Sequence, residues 1–164
     1  MLDVLLILVV AGLFIYALKR AGVGSASAAE NREEAEAFLR ENATKDGVQV
    51  TDSGMQFLPL SESQGDDAQA RQTPGASDEV TVHYEGKLLD GTVFDSSIKR
   101  GEPISFALNQ VISGWTEGLQ LMAKGEKARL FIPSELGYGN RRVGNIPGGS
   151  LLIFDVELIA VNGQ

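Results

Sequence analysis

The sequence predicts an α+β domain in which an antiparallel β-sheet wraps around a short central helix, with an apolar N-terminal segment in front of it. Several short segments alternate apolar and polar residues and are bounded by turn residues, which is typical of strands. One segment among them, residues 113–122, has helical spacing. The 164 residues include 19 glycines, and 43% are hydrophobic, as expected of a β-rich domain with many turns.

The composition excludes several classes of function. The chain has 14 basic and 22 acidic residues, a net charge of −8, whereas nucleic-acid binding depends on basic side chains that neutralise phosphates. Without cysteine, the chain has no disulfide, thiolate metal site or cysteine nucleophile. Its single histidine, His83, excludes a site with several histidine ligands. We therefore expect neither a nucleic-acid partner nor a bound metal.

The N-terminus carries a candidate membrane anchor. Residues 4–18 (VLLILVVAGLFIYAL) are an uninterrupted apolar run that ends at Lys19 and Arg20. A transmembrane helix needs about 20 residues, and these basic side chains reduce the deficit if they extend to the interface. We predict an anchor over residues 1–20. A cleaved signal peptide is one alternative, because residues 26–28 (ASA) resemble a cleavage site, and a buried core helix is another.

A linker and a short helix follow the apolar run. Residues 21–30 are mostly small, which is typical of a flexible linker. Residues 31–46 predict a helix, with Asn31 as its N-terminal cap and Gly47 as its stop. The helix has a narrow apolar stripe that either packs on its own domain or forms a dimer seam, so the oligomeric state stays open. The stripe consists of Ala35, Phe38, Leu39 and Ala43.

Residues 47–161 are predicted to form the main domain. The strand over residues 79–89 alternates apolar and polar side chains, and Asp90–Gly91 marks a hairpin turn. His83 lies on the polar face of this strand without a partner carboxylate, so we interpret it as a structural hydrogen-bonding residue and not as a base. The other expected features are strands on either side of residues 52–54, a loop over 61–77, and strands over 127–132 and 151–159.

Four motifs follow one another in this domain: VTVHYEGKLLDGTVFDSS (residues 80–97), VISGWTEGLQLM (111–122), IPSELGYG (132–139) and IPGGSLLIFDVELI (146–159). In sequence and order they resemble the FKBP-type peptidyl-prolyl cis-trans isomerases. The resemblance extends over residues 47–160. The preceding segment FLRENATKDGVQVTDSGMQF is similar to the Mip-like bacterial branch, whose members carry a helical N-terminal extension.

The reaction of that family requires no nucleophile, metal or cofactor, and we expect no cofactor here. Rotation about an X–Pro bond is opposed by a barrier of about 18–20 kcal/mol, because resonance is lost in the twisted state. The twisted amide is less polar than the planar one. A water-poor aromatic pocket with a few well-placed hydrogen bonds therefore favours it.

The resemblance implies a proline-binding pocket with Trp115 as its floor. Catalytic roles are implied for Asp95, for the Tyr138 hydroxyl and for the backbone N–H of Ile112. The last two would hold substrate carbonyls, and Asp95 would lie beside the bound peptide, hydrogen-bonded to a tyrosine and to an arginine. That tyrosine is Tyr84 and that arginine is Arg100, and both are implied to bind substrate. Ile146 would belong to a flap that covers the pocket. The remaining implied substrate-binding residues are Phe94, Ile104, Phe106, Val111 and Phe154.

Three features depart from the family pattern at the rim of this pocket. Ile104 stands where many relatives have an aromatic residue, and Asn145 stands where an apolar flap residue is common. The loop over residues 140–145 is slightly short and carries Arg141 and Arg142. These departures leave the peptide preference and the affinity for macrolides open.

The implied function is a membrane-tethered peptidyl-prolyl isomerase that acts on proline-containing polypeptides during folding, with macrolides of the FK506 and rapamycin type as further ligands. The alternative is a tethered holdase that grips proline-containing chains without turnover. Lys19 and Arg20 place the domain on the cytoplasmic face of a bacterial inner membrane by the positive-inside rule. Export of many Mip-like relatives favours the periplasmic face instead.

Overall fold

One antiparallel sheet organises the domain. The computed structural model describes residues 27–61 and 71–162, and in these ranges seven strands pair in the order β1-β2-β6-β7-β3-β4, with β5 also paired to β3. The elements are α1 (Ala28–Asn42), β1 (Gln49–Val50), β2 (Gln56–Pro59), β3 (Glu79–Lys87), β4 (Val93–Ser96), α2 (Ser97–Arg100), β5 (Ile104–Ala107), α3 (Ser113–Leu119), β6 (Lys127–Ile132) and β7 (Leu152–Asn162).

Strand β3 supplies the centre of the inner face of the sheet. Its residues alternate between buried and more exposed positions, and Val80, Val82 and Tyr84 are buried, as the sequence pattern predicts. One edge of β3 pairs with β7 along the whole strand, and the other edge pairs with β5 and then β4. The inner face therefore collects side chains from four strands.

Two glycines let α3 lie directly on this face. A Cβ atom at Gly118 would lie 2.7 Å from the side chain of Leu130, and one at Gly114 would lie 2.5 Å from the side chain of Ile132, the next inward residue of β6. The close approach buries Trp115. The predicted α+β arrangement, an antiparallel sheet around a short central helix, is confirmed. The helix ends at Leu119, three residues before the end of the segment that predicted it.

Three short elements, β4, α2 and β5, are not predicted by the sequence pattern. Each has four residues, which is too few to show a periodicity. The Oγ atom of Ser96 accepts a hydrogen bond from the Lys99 N–H at 3.2 Å and caps α2, and Gly101 ends it with φ of +77°. This turn of helix brings β4 and β5 to the same edge of β3.

The helix predicted for residues 31–46 spans Ala28–Asn42 instead. Its cap is Ser27, not Asn31: the Glu30 N–H donates to Ser27 Oγ at 3.3 Å and the Ser27 N–H donates to Glu30 Oε2 at 2.6 Å, which is a capping box. The predicted linker over residues 21–30 is corrected with it, because residues 28–30 are helical. Asn31 has a different role, because its Nδ2 donates a hydrogen bond to the carbonyl of Gly148, which is distant in sequence.

Helix α1 packs on the outer face of its own domain, as one of the two interpretations of its stripe predicted. Ala35 is buried, and the Phe38 ring lies 5.8 Å from the ring of Phe131. Phe131 lies on the outer face of β6, where alternation would leave it exposed, and it is buried because α1 covers it. The buried Asn42 side chain donates to Gln56 Oε1 at 2.9 Å and fixes the end of α1 to β2.

No helix within residues 27–61 and 71–162 combines the length and apolarity needed to cross a bilayer. The predicted anchor over residues 1–20 lies outside the described residues. So does the central part of the predicted loop over residues 61–77.

Candidate active site

A cavity of about 800 Å³ opens at the end of α3, between the β3–β5 edge of the sheet and the loop that precedes β7. It brings together side chains from four strands, one helix and two loops. All the implied site residues line it except Arg100. The lining residues are Tyr84, Phe94, Asp95, Ile104, Phe106, Gln110, Val111, Ile112, Trp115, Tyr138, Val143, Gly144, Asn145, Ile146 and Phe154.

Trp115 lies at the centre of an aromatic cluster. Its ring centroid is 5.1 Å from those of Tyr84 and Phe154, with interplanar angles of 84° and 87°, and 5.2 Å from that of Phe106. Phe94 meets Phe154 edge to face at 5.4 Å. Edge-to-face packing is the arrangement that ring quadrupoles favour, so the rings hold one another in place. The result is a rigid apolar floor and wall.

A polar cluster borders this wall. The Tyr84 hydroxyl and the Arg100 guanidinium both donate to the Asp95 carboxylate, and Arg100 Nη2 also donates to the Tyr84 oxygen at 3.1 Å. The Arg100 side chain is half exposed and reaches the cluster from outside the cavity. Among the described lining residues Asp95 is the sole carboxylate, and the arginine compensates its charge.

Burial raises the pKa of the Asp95 carboxyl, but the hydrogen bonds from Tyr84 and Arg100 outweigh it, and the net pKa lies below the ordinary value. Burial raises the pKa of the Tyr84 hydroxyl, and its hydrogen bond to the carboxylate raises it further. At neutral pH the tyrosine is therefore a neutral donor and the aspartate is ionised.

The lowered pKa of Asp95 predicts a pH dependence. Its contribution to stability is present above about pH 4, the ordinary aspartate range, and is lost as the pH falls through the folded-state pKa. We therefore expect Asp95→Asn to lower the free energy of unfolding at pH 7 and to have a smaller effect at pH 3. Urea denaturation of both proteins across this range measures the difference. A difference that stays constant or grows toward pH 3 would contradict the assignment.

Two donors at the cavity are free to bind a ligand. Neither the Tyr138 hydroxyl nor the Ile112 backbone N–H has a hydrogen-bond partner within the described ranges. Ile112 precedes the first turn of α3, where the amide is not used by the helix. Tyr138 is 38% exposed. Both groups can therefore hold carbonyl oxygens without first giving up an internal bond.

One wall of the cavity belongs to a single loop, residues 138–150, which we call the flap loop. Val143 and Ile146 bond each other's backbone in both directions, at 3.0 and 2.9 Å, and this tight turn buries Ile146 toward the cavity. The Gly149 N–H donates to the Gly139 carbonyl at 2.8 Å and closes the base of the loop beside Tyr138.

Sequence reasoning missed two residues of the site. Gln110 lines the cavity and no motif singled it out, whereas Val143, Gly144 and Asn145 belong to the loop over residues 140–145 that the sequence placed at the rim. Gly86 is the second missed residue: a Cβ atom there would lie 2.6 Å from the Phe94 ring and 2.7 Å from the Phe154 ring. A glycine inside an alternating strand is a signal of such close approach, and it could have been used.

His83 has the structural partner that its position predicted. Its Nδ1 lies 2.9 Å from the hydroxyl of the fully buried Ser97, which also accepts the Tyr84 N–H at 2.8 Å. The imidazole thus ties α2 to β3 behind the polar cluster. It does not line the cavity.

Two segments of the chain match models of known protein families. Residues 70–159 match the model of the FKBP-type peptidyl-prolyl cis-trans isomerases, and residues 16–58 match the model of the domain amino-terminal to that isomerase. The first match covers more than half of the chain and contains every implied site residue.

Individual relatives agree with this result. The chain is 52% identical over 134 residues to the FKBP-type isomerase FkpA of Aeromonas hydrophila, covering 82% of this chain and 48% of that one. It is 50% identical over 125 residues to the 22 kDa FKBP-type isomerase of Escherichia coli, covering 76% and 58%. It therefore spans about half the length of these relatives.

A solved structure extends the agreement to the fold. A crystal structure of a peptidyl-prolyl cis-trans isomerase from Pseudomonas syringae has a TM-score of 0.73 and 36% sequence identity. The alignment covers 84% of this chain and 98% of that one. The resemblance inferred from the four motifs is confirmed: the chain belongs to the FKBP-type peptidyl-prolyl cis-trans isomerases.

Proposed function

We propose that this domain accelerates the cis-trans isomerisation of X–Pro bonds in proline-containing polypeptides. The observation that carries the proposal is the pairing of a cavity walled by aromatic side chains with two donors, the Tyr138 hydroxyl and the Ile112 N–H, that have no partner among the described residues. A proline ring fits against the Trp115 indole. The donors bind carbonyls on either side of the ring and hold the chain while the bond rotates.

These residues need only stabilise the twisted amide relative to the planar one. The twisted amide has lost resonance and polarity, so an environment with little water stabilises it relative to the planar form. The Tyr84 hydroxyl donates to Asp95 and accepts from Arg100, and these two bonds fix its ring edge-on to Trp115. The cavity wall is thus organised before the substrate binds, and no reorganisation energy is needed during rotation.

A protease-coupled assay with a proline tetrapeptide tests the proposal. The full chain and a fragment that begins at Ser27, which keeps the capping box of α1, are both expected to accelerate isomerisation. Binding of the peptide without acceleration would favour the holdase alternative, and neither binding nor acceleration would reject both. Inhibition by an FK506-type macrolide that competes with the peptide would support the same cavity as the site.

Tyr138→Phe separates binding from turnover. The change removes one donor and little volume, and the hydroxyl has no partner to lose within residues 27–61 and 71–162, so we expect the stability and most of the peptide affinity to be retained. We expect kcat to fall by about tenfold, the equivalent of one hydrogen bond made in the transition state. Steady-state kinetics and thermal denaturation measure both. Unchanged turnover would mean that the hydroxyl has no catalytic role.

We also propose that residues 4–18 tether the domain to a bacterial inner membrane. The support is the uninterrupted apolar run and the two basic residues, Lys19 and Arg20, that follow it. The charges favour a cytoplasmic domain, and protease treatment of spheroplasts tests this. Digestion of the domain before lysis would place it in the periplasm. A mature chain that begins at residue 29 would reject the anchor.

A further inference from the structure

The first turn of α1 lies against the flap loop. Asn31 Nδ2 donates to the Gly148 carbonyl at 2.8 Å, across 117 positions of sequence. Gly149 permits the contact, because a Cβ atom there, where φ is +74°, would overlap the Ala28 carbonyl. A Cβ atom at Gly148 would overlap the loop's own Asn140 carbonyl and would lie 3.3 Å from the Ala28 side chain. The backbone of the helix at Ala28 therefore lies directly against the loop at Gly149, and the Asn31 side chain bonds to the loop beside it.

This contact lies at the base of the cavity wall. Gly148 is two residues from Ile146, which is buried against the cavity, and Gly149 bonds to Gly139, the neighbour of Tyr138. Several other bonds of the loop are internal, such as the turn at Ile146 and the bond from Ser150 Oγ to the Pro147 carbonyl at 2.7 Å. The bond from Asn31 is made from outside the loop, by an element that does not line the cavity.

We infer that α1 positions the flap loop of the isomerase site and that Asn31 is the positioning residue. The inference rests on the proposed function. A flap loop held at Gly148 presents Ile146 and Tyr138 in the arrangement that binds peptide. A loop without this bond occupies that arrangement for a smaller fraction of the time, and the apparent dissociation constant rises by the inverse of that fraction.

Two substitutions in the full chain remove the bond. Asn31→Ala deletes the donor. Asn31→Asp keeps the shape of the side chain, places an acceptor opposite the Gly148 carbonyl, and is compatible with the first turns of a helix. We expect both to raise KM and the dissociation constant of a proline tetrapeptide by about three- to tenfold, the equivalent of one hydrogen bond, with kcat within about twofold of wild type.

The chain offers a matched control at the other end of α1. Asn42 docks the helix on β2 through its bond to Gln56, and the order of the sheet places β2 three strands from β3. Asn42→Ala is expected to lower the melting temperature and to leave KM unchanged. An equal rise of KM in Asn31→Ala and Asn42→Ala would mean that general loosening of α1 is responsible, and would overturn the inference.

Fluorescence of Trp115, the single tryptophan of the chain, supplies a readout of binding that does not depend on turnover. Wild-type affinity in both Asn31 variants would overturn the inference and leave the proposed function intact. A wild-type chain that binds the peptide without turnover would reject the proposed isomerase and still report the effect of Asn31 on affinity. A wild-type chain that neither binds nor turns over the peptide would overturn both.

Discussion

Trp115→Ala is expected to lower the free energy of unfolding by about 3–5 kcal/mol, as is typical of removing a buried aromatic side chain. The indole is 5% exposed and contacts three other rings, so the surrounding cluster has few ways to collapse into the space. The floor of the cavity is lost with it, and we expect kcat/KM to fall by at least about a hundredfold. Denaturation followed by circular dichroism measures the stability, because the variant has no tryptophan.

Trp115→Phe is the matched control. The indole N–H is buried and has no partner among the described residues, so replacing it with phenylalanine removes a polar group that is unfavourable to bury. The same change also removes part of the ring volume, which lowers the stability. We expect a smaller loss of stability than for alanine and partial retention of activity. A stability loss below about 1 kcal/mol for Trp115→Ala would mean that the ring is not part of the core.

Gly86→Ala is expected to reduce kcat/KM by more than about tenfold through one added methyl group. The new Cβ atom would press on the rings of Phe94 and Phe154, which pack edge to face. Phe154 is buried and also packs edge to face on Trp115, so it cannot shift without disturbing the floor of the cavity. Overpacking of this kind destabilises by about 1–3 kcal/mol and distorts the cavity wall. Peptide kinetics and urea denaturation measure the two effects.

Gly75→Ala is the control for Gly86→Ala, because it makes the same change to the backbone without adding a close contact. Gly75 is exposed, and a Cβ atom there would have its nearest neighbour at 3.5 Å, an ordinary contact. We expect this variant to match the wild type in activity. If Gly86→Ala behaved like Gly75→Ala, the aromatic wall would be more adaptable than its packing indicates.

The sequence predicted what depends on local pattern and on spacing within motifs. Alternation along residues 79–89 identified the central strand and its buried face, and β6 was predicted with its observed bounds. The motifs led through family resemblance to residues that the structure gathers around one cavity, Asp95 and Tyr138 among them. Their proposed roles remain predictions that the kinetics above test.

The tertiary structure decided the features that depend on partners distant in sequence. The sequence alone assigned Asn31 to a helix cap, because its local neighbours permit that role, and the fold instead gives it the Gly148 carbonyl as a partner. Phe131 departs from strand alternation because α1 covers the outer face. Gly86 and Gly149 are sites of close approach only because other elements pack there. Local sequence sets the periodicity of each element, whereas burial and hydrogen-bond partners at a position are set by whichever segment the fold brings against it.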